Sequence, residues 1–189
     1  MNATKKAKKH TIFTDGVIQQ VTELIQKAKK GDKEAFAELY KIYSKKLYST
    51  ALYMLGRRED AEDLVMDTVT DAFRGIGTLR DADAFEGWIF KILVNKIKRK
   101  RRSYIDEPVE LLEEILPEQA APGENRVLVL EAMKTLSRED RDILILGIVN
   151  GYKSEEIASL IGMNSNTVRS RQKRALEKLR KLLEKGEEQ

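Results

Sequence analysis

Apolar residues recur at intervals of three and four along most of this chain, the spacing of one helix face, and nothing reads as a sheet. Val17 to Lys30 has the pattern of a short helix broken at Gly31-Asp32. Phe36, Leu39, Tyr40, Tyr43, Leu47, Ala51, Met54 and Leu55 then hold the period for about five turns up to Gly56. A second run, Ala61, Leu64, Val65, Thr68, Val69, Ala72 and Phe73, stops near Gly75 and Gly77. After a connection from Ile76 to Asp83, a third helix is predicted from Ala84, with Phe85, Trp88, Ile89 and Ile92 inward.

Towards the C-terminus a short apolar helix, Ser154 to Ile161, meets Gly162, and a strongly basic helix follows. Ser154 is placed to cap the first of these, and Glu155 and Glu156 fill the first turn, where the helix dipole favours carboxylates. Gly162 falls where a chain leaving a helix needs a left-handed residue. Val168, Ala175, Leu176, Leu179 and Leu183 are expected to face the domain core, and Arg169, Ser170, Lys173 and Arg174 to share another face. This is the pattern of a helix-turn-helix whose second helix enters a DNA major groove. A basic helix can also be only a solvated face, but the capping signals and the glycine turn favour the motif.

Composition narrows the function classes. The 189 residues are 41% hydrophobic and 35% charged, enough for packed cores in one or two domains. With no cysteine there is no disulfide framework, zinc knuckle or thiol nucleophile, and the only histidine, His10, lies in a lysine-rich tail. No apolar run approaches membrane-spanning length and no secretory signal is evident, so a cytoplasmic location is expected. The net charge of +4 hides a segregation. Lys91, Lys96, Lys98, Arg99, Lys100, Arg101 and Arg102 are followed by an acid-only stretch, Ser103 to Asn125, which also holds all three prolines. So long a loop inside one compact domain is unusual. The expected fold is therefore all-α: a basic, disordered tail (1–16), a helical domain (17–102), an acidic linker (103–125) and a helix-turn-helix domain (126–189). Leu111, Leu112, Ile115 and Leu116 have the spacing of a turn or two of helix within the linker.

Two constellations in the first domain carry candidate chemistry. Asp60, Asp63 and Asp67 share one helix face, flanked by Glu59 and Glu62. A magnesium site would need oxygen ligands converging from other segments, and no second acidic cluster is obvious, so no metal or cofactor is expected. Plain solvation is one alternative, and a docking face for a basic partner, with Leu64 and Met66 supplying apolar contact, is the other. Next, Trp88, Asn95 and Arg99 lie on a cationic helix, the combination that stacks and tracks single-stranded nucleic acid. Phe85 is expected in the core, and Trp88 is divided between core and base stacking.

These residues carry a resemblance. Asp60-Ala-Glu-Asp63-Leu-Val-Met-Asp67 with Phe85-Glu-Gly-Trp88-Ile-Phe-Lys-Ile-Leu-Val-Asn95 resembles the core-binding and promoter-melting domain of bacterial sigma factors. Leu136-Ser137-Arg138-Glu139-Asp140-Arg141-Asp142-Ile143-Leu144, with the helix-turn-helix after it, resembles their upstream-element-binding domain. Two such domains in this order resemble the extracytoplasmic-function group of the sigma-70 family. The resemblance implies a non-enzymatic alternative sigma factor that binds core RNA polymerase, recognises −35 and −10 promoter elements and nucleates melting. Asp60, Asp63, Leu64, Met66 and Asp67 are implied to bind core polymerase. Trp88, Asn95, Lys98, Arg99 and Arg102 are implied to contact −10 DNA as the unstacked non-template strand, with the loop from Leu79 to Ala84 receiving a base. Thr167, Arg169, Ser170, Arg171, Lys173 and Arg174 are implied at −35 duplex DNA, with Thr167 and Arg171 on phosphates. The linker corresponds to one threading the RNA exit path. An anti-sigma protein is implied as a further partner, holding the chain at the membrane without insertion.

Four positions depart from the family pattern: Arg99 where Asp is frequent, Met66 where Gln is, Ser137 where Pro is, and Gln172 where the recognition helix usually has an apolar residue. The last suggests a less tightly packed or differently tilted recognition helix. The competing readings are a DNA-binding repressor or activator that never enters the polymerase, and a metal-dependent nucleic-acid enzyme built on the acidic cluster.

Overall fold

The structure, a computed structural model, describes residues 15–103 and 125–186. Its helices are α1 (Asp15–Lys29), α2 (Lys33–Leu55), α3 (Arg58–Gly75), α4 (Phe85–Arg102), α5 (Asn125–Lys134), α6 (Arg138–Leu144), α7 (Ser154–Ile161) and α8 (Ser165–Gly186). Short 3₁₀ turns at Ile76–Thr78 and Ala82–Ala84 join α3 to α4, and α6 continues as a π-helical turn, Ile145–Val149. No strand occurs among the described residues. Asp15 and Gly16, expected in the tail, belong to α1. The remaining expectations for the tail, and those for the linker with its helical turn at Leu111 to Leu116, lie outside the described residues.

Local chemistry explains the helix boundaries. Asp32 caps α2, its carboxylate accepting the Glu34 and Ala35 N–H groups at 3.0 Å each. Gly56 ends it at φ 71°, and its N–H donates to the Leu52 carbonyl at 2.8 Å. Ser137 caps α6 by accepting the Asp140 N–H at 3.2 Å. Gly162 takes up the expected left-handed conformation, φ 71°. Ser154 differs from expectation: it lies inside α7, and the boundary residue is Lys153, whose N–H donates to the Glu156 carboxylate at 2.8 Å. Ser154 Oγ turns instead towards Gln172.

Helices α1 to α4 enclose a core in which Leu39, Leu47, Met54 and Leu55 of α2 meet Phe85, Ile89, Leu93 and Ile97 of α4, each 0–2% exposed. The apolar stripe of α4 is wider than its period suggests, since Phe90 and Val94 are fully buried too. The reason is tertiary: α4 packs against α2 and α3 on one side and against α7 on the other.

The helix-turn-helix domain is thus seated on the first domain. Ile143, Ile145, Leu146, Ile157, Leu160 and Ile161 join the same continuous core. Around it, Arg101 grips Asp142 with both terminal nitrogens, at 2.5 and 2.9 Å, and also donates to the Met54 carbonyl. Lys91 donates to the carbonyls of Ser159 and Leu160, and Lys98 to that of Ile161. Those carbonyls end α7, where helical partners are missing and the dipole is negative, so ammonium groups are well matched to them. Asn150 donates to Thr50 Oγ1 at 2.7 Å, while the Tyr152 ring stands edge-on to Phe90 at 5.6 Å with Lys46 over its face. Burial pushes the Asp142 carboxyl above the usual carboxylate range, and Arg101 opposes that shift.

The seam therefore hinges on one buried ion pair. Asp142→Asn leaves the Arg101 guanidinium, 10% exposed as a side chain, without a compensating charge. A loss of about 3–5 kcal/mol is expected, read as a lower guanidinium unfolding midpoint. Replacing both partners, Arg101→Met with Asp142→Leu, should recover part of it, since the Arg101 charge is removed with its partner, while half-buried Arg141 still loses the nearby Asp142 carboxylate.

Candidate nucleic-acid interface and docking surface

Helix α4 sorts its cations by direction. Lys91, Lys98 and Arg101 face the second domain through the bonds just described. Lys96 and Lys100 face α3, with Lys96 2.7 Å from Asp71 and 3.9 Å from Asp67, and Lys100 2.7 Å from Asp60. The hydrogen bond from Lys96 holds the Asp71 carboxyl below its ordinary value. What remains outward is Asn95, Arg99 and Arg102, all exposed, with Trp88 two turns earlier on the same line. Burial, reinforced by nearby Lys91, pushes the Lys98 ammonium below its ordinary value. Lys98 thus belongs to the domain seam and not to that outward stripe.

Trp88 is half-buried, between Phe85 (ring centroids 6.0 Å apart) and the end of α3. A Cβ on Gly75 would lie 3.3 Å from the indole, so the ring rests almost on the backbone there. Phe85 is core, as expected. In the loop before α4, Leu79 is buried and anchors it, while Arg80, Asp81, Asp83 and Ala84 are exposed. The Asp81 carboxylate accepts the Asp83 N–H at 3.0 Å and fixes the turn.

The acidic face of α3 is divided between two roles. Asp63 is exposed, together with Glu59, Glu62 and Met66, the last 57% exposed. Asp67 has a 73% exposed side chain but leans towards Lys96. Asp60 is turned inwards to Lys100, its side chain 17% exposed. Leu64, expected beside the docking face, is a core residue, 7% exposed. One helical step separates these directions: Asp60, Leu64 and Asp71 lie on the side that meets α4, whereas Glu62, Asp63 and Met66 lie away from it. Among the described residues no group of acids, histidines or cysteines could hold a metal ion.

In the second domain, Asn164 precedes α8 and accepts the Asn166 N–H on its side-chain oxygen at 2.9 Å. Thr167, Arg169, Ser170, Lys173 and Arg174 are all exposed on α8. Arg169 donates to Glu155 at 2.8 Å and to Asn166 Oδ1 at 3.3 Å, and Lys173 stands 3.8 Å from Glu177. Asn166 thereby joins this face, a placement its three-residue spacing from Arg169 already signalled. Arg171 does not join it: its guanidinium donates to Glu139 and lies 3.5 Å from Asp140, at the start of α6. The Glu139 hydrogen bond raises the Arg171 pKa above its ordinary value. Leu176, expected in the core, is 42% exposed, because the inner line of α8 runs through Val168, Gln172, Ala175 and Leu179.

Both halves match known families. Residues 39–104 match the model for sigma-70 region 2, and residues 126–179 that for sigma-70 region 4. The chain is 30% identical over 163 residues to the ECF RNA polymerase sigma factor SigM of Mycobacterium tuberculosis, covering 85% of this chain and 83% of that one. It is 26% identical over 181 residues to SigW of Bacillus subtilis, covering 86% and 96%. The fold is like that of the sigma factor RpoE of Bartonella quintana, solved with the anti-sigma factor NepR. There the TM-score is 0.65 and the identity 24%, over 79% of this chain and 96% of that one. With both regions present in order on one all-helical chain, the protein belongs to the extracytoplasmic-function group of sigma-70-family RNA polymerase sigma factors.

Proposed function

We propose that this sigma factor docks on core RNA polymerase through Asp63, Asp67 and Met66 on the outer face of α3. It reads the −10 region with Trp88, Asn95, Arg99 and Arg102 of α4, and the −35 region with Thr167, Arg169, Ser170, Lys173 and Arg174 of α8. Its domains on this reading span 17–102 and 126–189, and it works in the cytoplasm without catalysing a reaction. The observation that carries the reading is the sorting on α4. Acids of α3 engage Lys96 and Lys100, Asp142 engages Arg101, and the last carbonyls of α7 engage Lys91 and Lys98, which leaves one line of an aromatic, an amide and two guanidiniums outward. That set suits an unstacked strand, with bases against the ring and phosphates along the cations.

Energetics makes the polymerase a requirement. Opening a dozen base-pair steps at roughly 1.4 kcal/mol each costs on the order of 17 kcal/mol. Stacking returns about 1–3 kcal/mol per base, so a few bases held on α4 cannot drive melting unaided. The enzyme must supply most of it.

The closed arrangement adds a second requirement. One chain reading two separated elements has to part its domains, which breaks the Arg101–Asp142 pair and frees Lys98 to join the −10 contacts. A partner that holds the seam shut, of the anti-sigma kind, would keep the factor idle. The Bartonella structure solved with NepR supports such a partner.

Three outcomes are expected. In run-off transcription with core polymerase, Asp63→Lys should lose core binding and transcript together, about tenfold or more for a reversed charge at a docking face. Arg169→Ala with Lys173→Ala should keep core affinity but lose the transcript and lower the salt dependence of promoter binding. Failure of the wild type to bind core would leave only a DNA-binding regulator. The chain has no cysteine, so cysteines placed at Glu23 and Lys181 can carry a dye pair. Energy transfer between them should fall when core polymerase is added, and unchanged transfer in the bound state would refute domain opening.

A further inference from the structure

The inner line of α8 contains one polar residue among apolar ones: Val168, Gln172, Ala175 and Leu179, of which Val168 and Ala175 are 0 and 3% exposed. Gln172 is half-buried, and its amide is held on both sides. Ser154 Oγ, in the first turn of α7, donates to its Oε1 at 3.3 Å. Its Nε2 occupies a hollow over Gly147, in the π-helical turn after α6. A Cβ on Gly147 would lie 2.5 Å from that nitrogen and 3.5 Å from Ile157 Cδ1. The absent side chain at residue 147 is thus the space that the amide fills. Gln172 also lies between Arg169 and Lys173, one position before the latter and three after the former, so anything that rolls α8 at Gln172 moves both cations.

We infer that Gln172, seated in the Gly147 hollow and tied to Ser154, is the positioning residue that fixes the roll of α8 and hence which bases Arg169 and Lys173 reach. An apolar side chain at residue 172 could fill space, but it could not bond Ser154 Oγ. The glutamine pins α8 simultaneously to α7 and to the turn that continues α6, the helix which with α5 and α7 packs against α8. The inference rests on the proposed reading of the −35 region by α8. Gln172 itself touches no DNA in that reading, so its effect is on discrimination between sequences, while the phosphate contacts that set overall affinity stay in place.

The test uses full-length protein bound to core polymerase, selecting from a DNA pool randomised at the upstream element. Wild type is compared with Gln172→Ala, Gly147→Ala, the double variant, Gln172→Glu and, as a control, Arg169→Ala with Lys173→Ala. Alanine at residue 147 suits helical backbone better than glycine and meets only the far end of a flexible side chain, so it evicts the amide without unfolding the domain. Gln172→Ala and Gly147→Ala should each flatten the preference between best and single-mismatch sites by about fivefold or more, within the range that one base pair contributes. The double variant should be no worse than either single one, because both remove the same contact. Gln172→Glu keeps an acceptor for Ser154 and should recover part of the preference. Core affinity and melting temperature should stay at the wild-type level.

Additive effects in the double variant, an unchanged preference in Gln172→Ala, or a preference that falls only in step with melting temperature would overturn the inference. If the Arg169/Lys173 control also leaves the preference intact, the reading of α8 falls and takes the inference with it. If the control abolishes the preference while Gln172→Ala does not, only the role of Gln172 falls.

Discussion

Helix α4 is the element that everything else in this molecule accommodates. Its last twelve residues carry seven cations and no acid, yet its opposite side must be buried as fully as any core helix. Like charges at such density repel across every turn unless they are separated and compensated. The fold achieves both: Asp60 and Asp71 of α3 take Lys100 and Lys96, and Asp142 takes Arg101 from across the domain seam. The end of α7, a set of carbonyls with no helical partner, takes Lys91 and Lys98. The acidic helix and the basic helix are therefore complementary within one protein before either meets a partner.

That arrangement couples folding to function. Cations that hold the domains together are neighbours on the same helix of those proposed for promoter DNA, and Lys98 stands at the border. Nucleic acid, which offers phosphates, competes for the same charges as the α7 carbonyls. On the proposed reading, opening exchanges one set of electronegative partners for another, and its net cost is smaller than the buried area alone suggests. The apolar part of the seam, where α7 packs against α4 and the turn after α6 packs against α2, has no such substitute in DNA. Its exposure is the part of opening for which the polymerase surface must compensate.

Much of this was legible in the residues themselves. The helix ends at Gly56 and Gly162 rest on local chemistry, so the expectation of a glycine stop sufficed to place them, whereas the capping roles of Asp32 and Ser137 emerge only in the structure. The apolar periods of α2, α3 and α4 reported their buried faces for the same reason. The helix-turn-helix was equally readable, as was the exposure of Arg169, Ser170, Lys173 and Arg174. Errors arose where a residue's orientation depends on a distant segment. Leu64 is core and Asp60 faces inwards because α4 lies alongside, and Arg171 turns to Glu139 because α6 begins there. Leu176 is outward because Gln172, a polar residue that periodicity skips, occupies the inner line.

By itself, then, the sequence determined the four helices of the first domain, the helix-turn-helix pair, the all-α class and the family, since each follows from contacts within a few residues or from motifs whose spacing is local. Helices α5 and α6 came only with the structure. Tertiary structure alone decided which of the many charges are engaged and which face outward. It also decided that the two domains share one core. Ion pairs such as Arg101–Asp142 and bonds such as Lys98 to Ile161 join residues tens of positions apart. Their existence depends on how helices cross, a property that no window along the chain contains.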